Sequence, residues 1–313
     1  MNLKKSTADK GIYVAIIVVF FYMIILFYSD INKIILVLNQ IQFERYIAIL
    51  SLTVLTLLLQ GWKYKILLSK LDINLNFKDS FLIHTAGLAM LITPGSSGLI
   101  ISNLILKKRT GRSISSTMPS FIYEAWLDIV VLTTIIGILL YWSNSIASQI
   151  VFVIGFILVG FIFFVFKNSI GLDLLNKILL KTRILKKFII NADEFEESTK
   201  KLTSSKTTLQ LLFISTLTKL IPMIAVYFVF ELFSLNLDFF NTSQIFLTSQ
   251  IIGILSFVPG GVIITETGLL GLIMKEGVEF SVATMLVLLL RIMTFWFPIF
   301  LGFIALKFVL KMK

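Results

Sequence analysis

Six stretches of this chain reach or approach the length of a bilayer crossing: about 11–28, 46–66, 116–142, 147–166, 208–233 and 281–306. A helix needs roughly 20 apolar residues to cross the hydrocarbon core. Six such runs in one chain exclude a water-soluble fold. Soluble domains are near half apolar and about a quarter charged. Here 57% of the 313 residues are hydrophobic and 14% are charged, and the mean hydropathy is +0.96. The first run follows MNLKKSTADK. No small-residue cleavage site comes after it, so it reads as a retained span rather than a signal peptide.

Two more apolar regions, 79–106 and 242–274, are broken in the middle. The first break is LITPGSSGLI, with Pro94, Gly95 and Gly98. The second is SFVPGGVIIT, with Pro259, Gly260 and Gly261. Proline removes a backbone donor and clashes with the preceding turn. Glycine lets the chain reverse without steric cost. The flanking pieces are mostly too short to span, and irregular backbone at membrane depth must be buried in protein or line a wet cavity. Both regions read as re-entrant helical hairpins, the alternative being pairs of kinked full spans.

Charge supports the hairpin reading. With the N-terminus cytoplasmic, cytoplasmic segments carry 23 of the 28 Lys and Arg residues, and extracytoplasmic segments carry Lys33, Arg45 and Lys275. Lys219 and Arg291 lie within spans. This is a strong positive-inside bias. The fold class expected is an all-α polytopic membrane protein with six transmembrane helices and two re-entrant hairpins. The order span–span–hairpin–span occurs twice in opposite orientations, as units of about 11–142 and 147–311 within one integral domain, 1–313. This is an inverted repeat of the kind transporters use. The Pro-Gly turns lie 165 residues apart. Segment 167–207 has Leu174, Leu175, Ile178 and Leu179 among basic residues and reads as an amphipathic helix on the cytoplasmic leaflet.

The net charge of +11 is spread between apolar runs, which points to membrane topology and anionic headgroups rather than nucleic acid. With no Cys and a single His, thiolate and His-rich metal motifs are absent, and no P-loop or G-x-S-x-G elbow occurs. No cofactor, metal or catalytic residue is expected. Ionisable residues within the bilayer carry more information, since each costs a few kcal/mol or more unless paired or hydrated. Glu124 and Asp128 sit four apart and share a helix face. Lys219, Glu266 and Arg291 lie inside apolar segments, His84 lies in the first hairpin arm, and Glu231 lies near a span end. One reading gathers Glu124, Asp128, Lys219, Glu266 and Arg291 around a midplane cavity where hairpin ends meet a charged headgroup. The other makes them structural ion pairs, such as Arg291 with Glu266 or Glu124.

Four ordered motifs resemble the flippase-like family of the lysylphosphatidylglycerol synthase transmembrane region: TPGSSGLIISNLILKKRTGRS at 93–113, FIYEAWLDIVVL at 121–132, SFVPGGVIITETGLL at 256–270 and LLLRIMTFWFPIFLGFIAL at 288–306. The resemblance implies lipid handling by a stand-alone membrane unit without the soluble synthase domain. The positions it carries over are Glu124, Asp128, Glu266 and Arg291. The pattern departs at Leu99, Ser102, Ala125 and Thr265, where the family usually carries charges, so aminoacyl-phosphatidylglycerol is not carried over as the substrate. The expected function is a lipid flippase moving an anionic or lipid-linked headgroup through a midplane cavity. The alternatives are an intramembrane enzyme or a scaffold acting on lipid-linked intermediates. Expected partners are membrane lipids, with a separate lipid synthase or glycosyltransferase and self-association also open. The expected location is a prokaryotic cell membrane, with both termini cytoplasmic.

Overall fold

A computed structural model describes residues 43–91, 98–141, 146–167, 191–256 and 258–311. The expected first span, the turn at Pro94 and Gly95, and Leu174 to Leu179 lie outside these residues. All regular structure among the described residues is helical. The helices are α1 (Phe43–Lys70), α2 (Phe77–Leu88), α3 (Gly98–Thr110), α4 (Ile114–Leu139), α5 (Ile146–Lys167), α6 (Ala192–Leu202), α7 (Ser205–Leu232), α8 (Phe239–Leu255), α9 (Ile264–Lys275), α10 (Phe280–Arg291) and α11 (Phe297–Lys311). A 3-10 turn at Pro259–Gly261 precedes α9, and a π-helical segment at Ile292–Trp296 joins α10 to α11. Among the described residues, five segments are long and apolar enough to cross a bilayer: α1, α4, α5, α7 and the continuous run Phe280–Lys311.

The chain packs as two compact units that interleave in sequence. The first draws its described residues from Met1–Leu55, Leu88–Gly98 and Ile221–Phe303. The second draws on Thr56–Gly87, Leu99–Leu220 and Ile304–Lys313.

In the second unit, α2 and α3 run antiparallel. Arg109, in the last turn of α3, is paired with Asp79 in the first turn of α2. Farther along, Ser102 Oγ donates to the Ile83 carbonyl at 3.1 Å. At 1.5 Å per residue these 12- and 13-residue helices are each about 18–20 Å long, well short of a crossing. Helix α4 starts where Ser113 Oγ accepts from the Ser116 amide, a side-chain cap. Helix α6 begins at the Asn191 cap, has acidic residues in its first turn and Lys200 and Lys201 in its last, and so complements its own dipole. Its apolar side docks through Phe195 and Leu202 into a core of Leu67, Leu68, Ile83 and Leu127. Its charged side carries the i,i+4 pairs Glu196–Lys200 and Glu197–Lys201.

In the first unit, α8 and α9 are also antiparallel and short. Gly253 of α8 faces Thr265 of α9, and Ser249 faces Gly268. The break between them needs left-handed backbone at Gly260 (φ 63°), Gly261 (φ 62°) and Ile263 (φ 74°). Glycine takes such values freely, and Ile263 must be held there by its surroundings. It packs against the buried cluster of Val262, Phe295 and Ile299. The sequence predicts an unbroken last span, yet the segment widens to π geometry at Ile292–Trp296. Pro298 explains this, because it has no N–H for the Thr294 carbonyl and its ring would clash with that carbonyl in an α-turn.

Two glycines of the first unit should respond oppositely to alanine. A Cβ on Gly260 would sit in left-handed backbone and run into the Phe295 ring, whereas one on Gly271, within α9, would meet open space. Gly260→Ala should lower the thermal midpoint in detergent. Gly271→Ala should hold or raise it, since Ala favours a helix interior by about 0.5–1 kcal/mol over Gly.

Candidate functional site

Six polar side chains from four helices of the second unit come together around the ammonium group of Lys63. Lys63, seven residues before the end of α1, has a side chain with 0% exposure. Its Nζ lies 2.7 Å from Asp128 Oδ1, 3.2 Å from Glu124 Oε1 and 3.3 Å from Ser215 Oγ. Those contacts use all three donors that an ammonium has. Glu124 and Asp128 come from one face of α4, as their spacing of four predicts. Ser215 and Lys219 share a face of α7 for the same reason.

Asp128 is held from both sides. Its Oδ1 accepts from Lys63 and from Ser215 Oγ (2.9 Å), and its Oδ2 accepts from Lys219 Nζ at 3.0 Å. Among the described residues, Lys219 makes this one polar contact, and about a fifth of its side chain (22%) is exposed. The Asp128 side chain is 26% exposed. Asp128 and Lys219 are thus both more open than the sealed Lys63, and Lys219 has two donors left over. His84, on α2, completes the group. Its Nε2 lies 3.9 Å from Glu124 Oε1, and its ring is 5.5 Å from that of Tyr64.

With two lysines and two carboxylates, the cluster carries no net charge when the imidazole is neutral. That balance lowers the cost of enclosing it, since a lone buried ion costs several kcal/mol.

The first unit holds a different arrangement. Arg291, the last residue of α10, donates from Nε to Glu266 Oε1 at 2.7 Å and from Nη2 to the Gly260 carbonyl at 3.2 Å. Its guanidinium carbon lies 4.2 Å above the centre of the Phe295 ring. Both charged side chains are almost fully enclosed, at 3% for Arg291 and 0% for Glu266. Glu266 also sits in the first turn of α9, where the helix dipole favours an anion. This group fixes the broken backbone between α8 and α9 and satisfies a carbonyl that no helix serves. It matches the ion-pair reading of Arg291 and Glu266.

The predicted residues are thus distributed as Glu124, Asp128, Lys219 and His84 within the second unit, and Glu266 and Arg291 with Gly260 within the first. Glu231 is exposed near the end of α7. The sequence reading missed Lys63, which it counted among cytoplasmic loop residues. The signal was available, because Tyr64 and Ile66 to Leu68 continue the apolar run past Lys63 and place it inside the helix. It also missed Ser215, four residues before Lys219. Among the described residues, no three His, Asp or Glu side chains come together as a metal site.

The lysylphosphatidylglycerol synthase TM region family matches residues 12–302. The chain belongs to this family. A UPF0104 membrane protein of Methanocaldococcus jannaschii is 25% identical over 214 residues, covering 67% of this chain and 89% of that protein. A second UPF0104 membrane protein, from Methanothermobacter thermautotrophicus, is 36% identical over 100 residues, 32% of this chain and 30% of its own length. Together with the five candidate spans, family membership makes this an integral membrane protein.

Replacing Lys63 by Met should destabilise the fold by about 3–5 kcal/mol, since two buried carboxylates would be left with one lysine. Adding Glu124→Gln to Lys63→Met restores neutrality and should recover a large part of the loss. Unfolding in detergent of the single and double variants reads both effects.

Proposed function

We propose that this chain moves lipids between leaflets, with the headgroup engaging the cluster around Asp128 and Lys219 while the tails stay in hydrocarbon. The observation that carries this reading is the graded access of a neutral, multi-helix charge cluster in a family built around lipid-synthase membrane regions. The two spare donors of Lys219 suit an anionic phosphate, which a lysine binds as a point charge. Asp128, partly accessible beside it, suits a headgroup hydroxyl or amine.

In this reading α2–α3 and α8–α9 are re-entrant hairpins that enter from opposite sides. The first span at 11–28 completes six crossings, and both termini are cytoplasmic. The two antiparallel pairs of short helices support the hairpins, because each helix but α8 falls well short of 30 Å and α8 reaches only about 26 Å. The inverted repeat supplies alternating access. The enclosed Arg291–Glu266 pair acts by holding the α8–α9 break in shape. The chain works as a transporter rather than as an enzyme.

Proteoliposomes carrying trace fluorescent lipids of several headgroup types, read by dithionite quenching, test the proposal. Headgroup-selective exchange should occur and should fall at least about tenfold in Lys219→Gln, a loss equivalent to about 1.4 kcal/mol of headgroup interaction. Exchange that is unaltered in Lys219→Gln and Asp128→Asn, with both variants folded, would overturn the site.

A further inference from the structure

The second unit's cluster contains one titratable group that its ion pairs do not use. His84 presents Nε2 towards Glu124 Oε1 at 3.9 Å, too far for a hydrogen bond, while its Nδ1 is buried without a hydrogen-bond partner among the described residues. A structural histidine in a core normally has its ring nitrogens satisfied. This one sits loosely beside a carboxylate that Lys63 already serves.

Charge balance gives that looseness a consequence. The cluster is neutral as it stands. Bringing a singly negative headgroup to Lys219 would leave a net negative charge in a medium that penalises it heavily. One proton on His84 cancels it. The charged and titratable groups around the imidazole are Glu124 and Asp128 on α4 and Lys63 and Tyr64 on α1. On its own helix, Asp79 is held by Arg109 of α3.

We propose that His84 takes up one proton from water for each anionic headgroup bound at Lys219, so that headgroup binding and proton binding are linked one to one. This rests on the lipid-transport reading above and names its coupling ion. The proton leaves both ring nitrogens as donors. Nε2–H turns to Glu124 Oε1, and Nδ1–H is met by a water or a headgroup oxygen. Lys63 keeps Asp128 and Ser215 with less claim on Glu124, and Lys219 swings from Asp128 Oδ2 to the phosphate. Three cations then face two carboxylates and one bound anion, and the cluster is again neutral. A headgroup released on the other side gives its proton back, so a proton gradient would drive net movement.

The test is calorimetric titration of the purified full chain in detergent with dihexanoylphosphatidylglycerol, run at each pH in two buffers of different ionisation enthalpy. An unperturbed imidazole titrates near pH 6.5, and one linked proton changes affinity by up to about tenfold per pH unit above that value. The expected result is close to one proton absorbed per lipid at roughly pH 7–8, with affinity rising as pH falls. In His84→Gln the binding should be weaker at low pH and flat across the range, without proton uptake. Glycerophosphoglycerol, the same phosphodiester headgroup without tails, distinguishes a lipid site from one for free anions; proton uptake with either probe supports the linkage. Lipid binding with no proton uptake by the wild-type chain would overturn the linkage while leaving the transport reading intact. So would undiminished proton uptake in His84→Gln. Binding of neither probe at any pH would overturn both.

Discussion

A primary ammonium in an apolar interior needs three acceptors and a neutralising charge, and in the second unit Lys63 dictates where both come from. Its side chain is sealed, so α4 must turn the face of Glu124 and Asp128 towards α1, and α7 must turn Ser215 the same way. Hydrophobic packing alone would leave helix rotation loosely specified, because lipid-facing and protein-facing apolar side chains are chemically alike. Leu67, Leu68 and Leu127 fill the adjoining core. The polar contacts supply the register that such leucines do not.

The first unit solves a related problem with a different cation. Arg291 has to serve one carboxylate, one stray carbonyl and an aromatic face at once. A planar guanidinium with donors at fixed angles can do this, and a lysine cannot. The need arises from the Pro259–Gly261 turn, where the chain leaves helical geometry and exposes the Gly260 carbonyl. The π widening just after Arg291 belongs to the same local solution, since Phe295, whose ring lies under the guanidinium, is one of the five residues in that segment.

Much of this was legible in the sequence, and the misses have physical causes. Apolar run length located α1, α4, α5, α7 and the last span, and Pro with Gly located the α8–α9 break. The end of α1 was read too early because Lys63 looked like the start of a loop, and a charge ends a span only when it has no buried partner. That partner is a tertiary fact, fixed by α4 some sixty residues later. The i,i+4 spacing of Glu124 and Asp128 was local and therefore readable. The division of the five intramembrane charges into a second-unit group and an Arg291–Glu266 pair depends on packing, and spacing along the chain carries no record of it. The π segment was hidden for a related reason: Pro298 signals a disturbance but not how the backbone will absorb it.

Structural staple and transport group are usually weighed as rival readings of an intramembrane charge. In the second unit's cluster a fully engaged cation and a partly engaged one lie along one chain of contacts, so the two readings need not exclude each other. At its closed end Lys63 has spent every donor on the protein, and moving it would strand two carboxylates. At its open end Lys219 spends one donor on Asp128 and keeps two. Because Lys63 and Ser215 also hold Asp128, a release of Lys219 would not leave that carboxylate bare, and the cost of such a release would be small. A buried network can therefore offer a mobile cation to a ligand only if another cation in it is immobile, and the arrangement around Asp128 meets that condition with side chains from three helices.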